Sequence, residues 1–271
     1  MPLITISHSI GSDGRAIAAL IANNLNYELY DDDKLQKMAK ALGLYAEGLV
    51  SLDENAPGLF DRILSNKPEL YLDYMESIVF EVARKGEGVI MGHGSQMLLR
   101  DFGCAFHARI HASQSSRIQN LMENQGLSRV AAEKLIRKFD HRQSGFFRYA
   151  FHMQWDDPSL YDVIINTQKM SVNTAAKLIL ETIQSDDINT CSLDALAAME
   201  RLSLQKQIHA ELLKNNIEMD FLHIEVSENA VVHISGVSRS LKDKEKIEHV
   251  VKNLPHIADV TSDISVVMGT I

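Results

Sequence analysis

The first residues of the chain with the types and spacing for chemistry lie in a glycine-rich turn, within ITISHSIGSDGRAIAALIANNL (4–25). The turn follows a short β-branched stretch, and apolar residues at helical spacing predict a helix from Arg15 to Leu25. Glycines permit tight turns, and successive backbone N–H groups at the start of a helix can bind an anion such as phosphate. The turn is therefore a candidate phosphate-binding loop, whose residues are Gly11, Ser12, Asp13, Gly14 and Arg15.

This loop departs from the common phosphate-loop pattern G-x-x-x-x-G-K-[ST]. When Gly14-Arg15 is aligned with Gly-Lys, Ser9 takes the place of the first glycine and Ala16 that of the hydroxyl residue. Arg15 could supply charge, even in a bidentate manner, but Ala16 has no side-chain oxygen for magnesium. Asp13 adds negative charge beside the expected phosphates. The motif alone leaves two interpretations open: a phosphate site, or a glycine-rich strand-to-helix turn.

The elements that position the loop alternate between strands and helices over residues 1–185. Strands are predicted at Ile4–Ser7, in YELYD, at Gly88–Gly92, in AFHARIHA and in YDVIINT, and Ser128 is predicted to cap the helix RVAAEKLIRKFDHRQ. Strands separated by helices imply right-handed βαβ units. The apolar runs VIM and VII are typical of strands buried on both faces. We therefore predict an α/β fold, a parallel sheet between two layers of helices.

A different pattern follows the polar stretch QSDDINTCS (184–192). It consists of a helix over about Leu193 to Leu213, two strands around Ser227-Glu228-Asn229, a helix opened by Ser240 with Asp243 as its capping-box partner, and a closing strand in DVTSDISVV. This order predicts a small α+β domain of the type α-β-β-α-β. The predicted organisation is a first domain at 1–185, a linker at 186–192 and a second domain at 193–271.

Composition excludes several classes of protein. The chain has 271 residues, a net charge of −9 and 11 histidines, without the basic clusters of nucleic-acid-binding proteins or the histidine spacing of a metal site. Cys104 and Cys191 are far apart and suggest neither a metal site nor a disulfide framework, which suits a reducing cytoplasm. The start of the chain lacks a secretory signal, and no stretch reaches the roughly 18 apolar residues of a membrane span. We expect a cytoplasmic protein with no metal-ligating cluster and no transmembrane segment.

Four blocks of sequence together resemble the cytidylate-kinase-like proteins, a divergent branch of the nucleoside monophosphate kinases. ITISHSIGSDGRAIAALIANNLNYELYDDDKL resembles the opening of that family, and GEGVIMGHGSQMLLRD resembles its second block. RIQNLMENQGLSRVAAEKLIRKFDHRQSGFFRYAF resembles its lid-forming helices, and WDDPSLYDVIINTQKMSVNTAAKLI resembles its closing strand and helix. The resemblance covers residues 1–183 in order. It implies a P-loop kinase fold, with ATP as donor, Mg²⁺ as cofactor and a nucleoside monophosphate, CMP first, as acceptor.

The resemblance also implies roles for individual residues. The N–H groups of Gly11–Arg15 would hold the donor phosphates, and Arg15 would supply charge, since this branch tolerates Gly-Arg in place of Gly-Lys. Asp31 would position the acceptor or magnesium, with a helix N-cap as an equal alternative. His93 and Arg100 would face the acceptor, although Arg100 could instead form an ion pair with Asp101. The lid arginine that closes over the phosphoryl group would be Arg137, Arg142 or Arg148.

Two departures from the family pattern put catalysis in question. The family usually has arginine between the glycines of its second block, whereas this chain has His93, whose charge depends on pH. The usual lid motif is Asp-x-x-Arg, but Asp140 is followed by Arg142 and Gln143, a displacement of one residue or ~100° on a helix. Loss of such an arginine can cost about 10³ to 10⁵ in rate. The alternative function is therefore a catalytically inactive pseudokinase that senses a nucleotide or acts as a scaffold.

The segment from Leu193 to Val267 resembles a BON domain. The match is carried by VVHISGVSRSLKDKEKIEHVVKNLPHIADVTSDISV, with Gly236 at the position of the domain's hallmark glycine. Such modules are associated with membrane surfaces, ligand sensing or protein contacts. The lysines of LKDKEKIEH alternate with acidic residues, which favours a solvated helix face over a site for anionic lipid. We expect a regulatory or oligomerisation module, acting through a homo-oligomer or a protein partner.

Overall fold

The computed structural model of the chain describes residues 2–42, 68–188 and 191–267. They divide into two compact units, each made of two separate stretches of chain. The first unit contains Met1–Leu35 and Lys85–Leu193, and the second contains Gln36–Arg84 and Asp194–Ile271. The segment Gln36–Arg84 thus groups with the C-terminal residues, which the sequence pattern does not indicate. The domains at 1–185 and 193–271, with a linker at 186–192, stay a prediction.

The first unit is built on a five-stranded sheet in which all neighbouring strands are parallel. Residues Leu3 to Ser7 and the whole of Val89–Met91 are buried, because helices cover both faces of such a sheet. The predicted α/β fold is confirmed. The strands, in the spatial order β2-β3-β1-β4-β5, are β1 (Leu3–His8), β2 (Leu29–Tyr30), β3 (Val89–Met91), β4 (Ala105–His111) and β5 (Val163–Asn166).

Serine side chains cap the N-termini of several helices in this unit. Ser113, Ser128 and Ser171 each accept a hydrogen bond from a backbone N–H in the first turn that follows, which satisfies a group with no partner inside the helix. The predicted cap at Ser128 is confirmed. The helices are α1 (Gly14–Leu25), α2 (Asp32–Ala41, which continues into the second unit), α4 (Ser95–Leu98), α5 (Gln114–Gln125), α6 (Arg129–Phe151) and α7 (Val172–Ile183), with a 3₁₀ turn at Pro158–Leu160.

Helix α6 is longer than the sequence predicts. The expected helix ends near Gln143, whereas α6 has 23 residues and continues through Gly145 to Phe151. A glycine inside a helix costs about 1 kcal/mol relative to alanine. Apolar packing offsets that cost, since Phe146 and Phe147 are buried and their ring centroids lie 5.5 and 5.2 Å from that of Phe151.

The second unit contains a three-stranded sheet of order β6-β7-β8, in which β6 and β7 are antiparallel and β7 and β8 are parallel. Gly236 in β7 has a φ of +131°, and a Cβ atom there would lie 2.0 Å from the carbonyl oxygen of Phe221. Only glycine fits that position, which explains the hallmark residue. The predicted α-β-β-α-β order and the cap at Ser240 are confirmed. The elements are α3 (Pro68–Ala83), α8 (Leu193–Lys214), β6 (Leu222–Val226), β7 (Val231–Ser238), α9 (Leu241–Lys252) and β8 (Asp259–Val266).

A disulfide joins two parts of the first unit that are distant in sequence. Cys104 and Cys191 form this bond, with their Cα atoms 4.9 Å apart and a sequence separation of 87. The expectation of no disulfide is wrong, because the fold brings the turn before β4 next to the stretch after α7. None of the helices in the described part of the chain is long and apolar enough to span a bilayer.

The disulfide makes a measurable prediction for the first unit. Denatured, unreduced protein should give no free thiol, and reduction should release both. Because the bond closes a loop of 87 residues, we expect reduction to lower the free energy of unfolding by about 4 kcal/mol. Trp155 is the chain's one tryptophan and lies in the first unit, so its fluorescence in a urea titration reports the change. The Cys104→Ser, Cys191→Ser double variant should be insensitive to reductant, and two free thiols before reduction would contradict the bond.

Candidate functional site

The loop between β1 and α1 has the backbone geometry of an anion site. Gly11 and Asp13 both have positive φ angles, +81° and +60°, so the chain curls tightly before α1 begins at Gly14. By helix geometry, the N–H groups of the first turn have no acceptor within α1, and the helix dipole adds positive potential there. Within the described residues, the Asp13 side chain makes no capping hydrogen bond to them. These N–H groups are therefore the candidate phosphate donors.

Both glycines of the loop are required by close contacts. A Cβ on Gly11 would lie 2.7 Å from the backbone oxygen of Arg117, and a Cβ on Gly14 would lie 2.3 Å from Cβ of His8. Side chains elsewhere hold the loop in place. The Ser12 hydroxyl donates to the carbonyl of Ile110 at 3.1 Å, and the Thr167 hydroxyl donates to the carbonyl of Ser12 at 3.1 Å.

Helix α5 supports the loop from the other side, through residues that the sequence analysis missed. The Arg117 side chain is only 8% exposed, and its guanidinium donates to both carboxylate oxygens of Asp140 on α6, at 2.7 and 2.9 Å. Its Nε donates to the carbonyl of Ile10 at 2.7 Å. Asn120 donates to the carbonyl of Gly11 at 2.9 Å. The only sequence signal for this support is an arginine on the same helix face as the buried residues Ile118 and Leu121.

Asp13 also belongs to this contact with α5. Its carboxylate accepts from Asn120 at 3.1 Å and lies 3.5 Å from Nδ2 of Asn124. Burial raises the pKa of Asp13 above its usual value. The carboxylate expected beside the phosphates is thus drawn towards α5.

Arg15 and Asp31 form an ion pair at the edge of the loop. The Arg15 guanidinium donates to Asp31 at 2.7 Å and lies 3.8 Å from Asp33, and its side chain is 68% exposed. Asp31 also accepts from the backbone N–H of Lys34 at 3.1 Å, as an N-cap of α2 does. The alternative reading of Asp31 as a cap is therefore confirmed, and the same carboxylate restrains the arginine expected to meet phosphate.

A second cluster lies at the carboxyl ends of β2 and β3. His93 has a φ of +56° between two glycines that also have positive φ, and its Nε2 contacts Oδ1 of Asp32 closely. The hydrogen bond from His93 lowers the pKa of Asp32, and the positive charge of Arg142 adds to the effect. The fold therefore brings Asp32 and His93 into contact, and Asp32 was not among the predicted site residues.

The remaining predicted arginines are not part of this cluster's described contacts. Arg100 follows α4 and is exposed. Arg137 and Arg148 are exposed on α6, where helix geometry puts them within about 20° of each other and Arg137 about 140° from Arg142. The Nε of Arg148 donates to the carbonyl of Ser144 in its own helix at 3.3 Å. Of the three predicted lid arginines, Arg142 is the one whose charge contributes to the lowered pKa of Asp32.

Arg109 lies in strand β4 and is buried against aromatic side chains. Its guanidinium lies 4.1 Å from the ring centroid of Trp155 and donates to the Trp155 carbonyl at 3.0 Å. The ring of Tyr161 is 5.5 Å away, and its hydroxyl donates to the same carbonyl. Both aromatic residues therefore pack on an arginine in this structure and fix the chain between α6 and β5.

Comparison with known proteins assigns the family. Residues 3–169 match the model of the cytidylate kinase-like family. The chain belongs to that family. Residues 202–268 match the model of the BON domain, so the cytidylate kinase-like region is followed by a BON domain in the same chain.

Relatives of the cytidylate kinase-like region are distant. The cytidylate kinase of Staphylothermus marinus is 25% identical over 187 residues, which are 68% of this chain and 97% of that protein. The cytidylate kinase of Thermoplasma volcanium is 21% identical over 182 residues, 66% of this chain and 90% of its own length. A solved structure of an uncharacterized protein from Eubacterium ventriosum superposes with a TM-score of 0.55 at 21% identity, over 68% of this chain and 99% of that one. This last likeness shows a shared fold.

The contact of Arg117 with the loop and α6 predicts a loss of stability on conservative substitution. The substitution Arg117→Lys keeps the positive charge. A lysine ammonium group, however, cannot bind both oxygens of Asp140 and the Ile10 carbonyl at once. We expect the free energy of unfolding of the first unit to fall by about 2 to 3 kcal/mol, measured by urea titration of Trp155 fluorescence. The exposed control Arg137→Lys should change it by less than about 0.5 kcal/mol. Equal midpoints for the two variants would show that the Arg117 contacts contribute nothing.

The loop region also predicts a pH dependence. Burial is the main cause that lowers the pKa of His8, and burial likewise lowers that of His107. The unfolded chain takes up a proton at each residue near pH 6.5, whereas the folded state resists it. The stability of the first unit should therefore be complete above about pH 6.5 and decrease as the pH falls towards the folded-state values. His8→Asn should flatten this decrease in Trp155 fluorescence titrations, while His249→Asn in the second unit should leave it unchanged.

Proposed function

We propose that this chain is a nucleoside monophosphate kinase that transfers the γ-phosphoryl group of ATP, with CMP as the first acceptor to test. The observation that carries the proposal is the adjacency of two groups of residues. The loop before α1 offers N–H groups for donor phosphates, and the Arg15–Asp31 pair links the loop to Asp32, which contacts His93. In open parallel α/β sheets, ligands bind at the carboxyl ends of the strands, where all these residues lie.

The proposed roles follow from position and charge. Backbone N–H groups of Gly11–Arg15 hold the β- and γ-phosphates of the donor, and Arg15 exchanges its contact with Asp31 for a phosphate oxygen. His93, oriented by its contact with Asp32, holds the acceptor phosphate. Arg142 stabilises the charge on the phosphoryl group in transit. An acceptor phosphate oxygen then bonds to the γ-phosphorus as the bond to the bridging oxygen of ADP breaks. Arg100, Arg137 and Arg148 stay secondary candidates for phosphate contact.

The residues at the site fit the phosphates of ATP better than they fit a metal ion. Among the described residues, no group of three or more His, Cys, Asp or Glu side chains could hold a metal. Mg²⁺ in kinases needs only one or two carboxylates, because phosphate oxygens and waters complete its shell. Asp31 would be its protein ligand, since Ala16 offers no oxygen, and bound Mg²⁺ would neutralise charge on the phosphates.

The second candidate function is a pseudokinase that binds a nucleotide without transferring phosphate. The Arg15–Asp31 ion pair favours it, because the carboxylate takes up the loop's positive side chain. Asp32 likewise occupies the side chain of His93, which stands at the position of the family's acceptor arginine. In this case the BON domain would report nucleotide binding to an oligomer or a protein partner. Residence in the cytoplasm, where nucleotides are available, is part of either proposal, and it rests on the kinase family alone because the Cys104–Cys191 disulfide removes the argument from the cysteines.

The deciding experiment measures ADP formation from Mg-ATP with a panel of nucleoside and deoxynucleoside monophosphates. We expect turnover with CMP, a decrease in kcat of about 10³-fold or more in Arg142→Ala, and a rise in KM for ATP in Arg15→Ala. Lys138→Ala, exposed on the same helix as Arg142, is the matched control and should retain full activity.

Other outcomes separate the two candidates. Turnover that is lost in Arg137→Ala or Arg148→Ala but kept in Arg142→Ala would assign the lid role to another arginine. No turnover with any acceptor, together with a nucleotide-induced rise in melting temperature that does not need Mg²⁺, would establish the pseudokinase.

A further inference from the structure

Asp32 and His93, the proposed residues for the acceptor, are close in sequence to the two points where the chain passes between the compact units. The chain leaves the first unit after Leu35, just beyond Asp32, and returns to it at Lys85, shortly before His93. Helix α3 is the last described element before that return and leads directly into β3. A short stretch of chain therefore joins α3 to β3, and His93 follows the end of that strand.

Within the second unit, α3 is tied to α8 of the BON domain by polar contacts along its length. Glu76 forms an ion pair with Lys206, Asp73 lies 3.3 Å from Nδ1 of His209, and Arg84 lies 3.5 Å from Glu200. The partners run in opposite directions along the two helices, so the helices are antiparallel. We call these contacts, together with those of Glu81, the α3–α8 seam.

Glu81 is the most highly bonded side chain of the seam. It accepts two hydrogen bonds from Arg84 at 2.7 Å, and it also accepts from Ser203 at 3.0 Å and from Gln207 at 3.2 Å. Its side chain is 17% exposed, and Ser203 is buried. A carboxylate held by four donors in a shielded position fixes geometry more strongly than a surface ion pair does.

Helix α8 is buried on two sides, and only one of them faces the core of the BON domain. Leu204, Ile208 and Leu212 pack in the core of the BON domain with its three strands. Met199, Ser203 and Ala210 are also buried, but they lie on the opposite side of the helix and outside that core cluster. A helix buried on two sides requires a second neighbour. The seam contacts identify α3 as the helix on that side.

We propose that the BON domain controls acceptor affinity by holding α3 through the α3–α8 seam. This inference rests on the proposed kinase function. It assigns the regulation of the acceptor site to the BON domain of the same chain. A state that shifts α8 would release α3 and change the chain entering β3 and His93. A coupling between two sites of this kind changes affinity by about 5- to 150-fold. ATP binds at the loop before α1, which α3 does not contribute to, so donor affinity stays constant.

The test inverts one ion pair of the seam in the full-length protein. Lys206→Glu places two carboxylates together, Glu76→Lys places two ammonium groups together, and the double variant restores opposite charges. We expect each single variant to raise the KM for CMP, or the Kd of CMP by calorimetry, about five- to tenfold. The KM for ATP should stay within about twofold, and hydrogen exchange in α3 should become faster. The double variant should restore all three towards wild type. Lys214→Ala, on α8 but paired with Glu211 of its own helix, is the matched control.

Each outcome bears on a distinct claim. Faster exchange in α3 with unchanged CMP affinity would overturn the coupling while leaving the kinase proposal intact, and so would a double variant that fails to restore affinity. Equal changes in the affinities for CMP and ATP would mean general destabilisation and would also overturn it. If the wild-type protein neither turns over nor binds any nucleoside monophosphate, the proposed function fails first, and this inference fails with it.

Discussion

The buried guanidinium of Arg117 is the contact on which the geometry of the candidate site depends. One side chain bonds the loop carbonyl of Ile10 and both oxygens of Asp140, so it joins the loop before α1 to the helix that carries Arg142. A backbone amide binds phosphate well only when its direction is fixed in advance, because ordering it during binding would cost free energy. Arg117 and Asn120 supply that order from a helix that carries none of the predicted site residues.

The charges of the site are arranged in pairs rather than left unpaired. Arg15 contacts Asp31, His93 contacts Asp32, and Arg117 contacts Asp140. An anionic substrate must therefore compete with carboxylates of the protein for Arg15 and His93. The exposed pair Arg15–Asp31 is weak and easily exchanged, whereas the shielded pair Arg117–Asp140 is costly to break. This difference separates the residue that can move to a ligand from the residue that maintains the frame.

Local sequence pattern predicted the elements that depend on local physics. The buried strands β1 and β3, the glycine loop, the serine cap of α6 and the α-β-β-α-β order all follow from periodicity, turn residues and capping. The pairs Cys104–Cys191, Arg117–Asp140 and Asp32–His93 could not be predicted in this way, because each joins residues that are distant in sequence and near only in the fold. The extension of α6 past Gly145 has the same origin, since the aromatic packing that sustains it is tertiary. Asp31 shows the limit of a motif: one carboxylate can serve as a helix cap and as the partner of Arg15.

The two-sided burial of α8 has a consequence for any attempt to separate the two matched regions of this chain. A domain that is stable as an independent piece must present a water-compatible surface on every side. Here Met199 and Ala210 face away from the core of the three strands and are nevertheless buried. They lie on the side where α8 meets α3, and α3 belongs to the part of the chain that matches the cytidylate kinase-like family. A BON domain cut from the chain without α3 would therefore expose these apolar side chains to water.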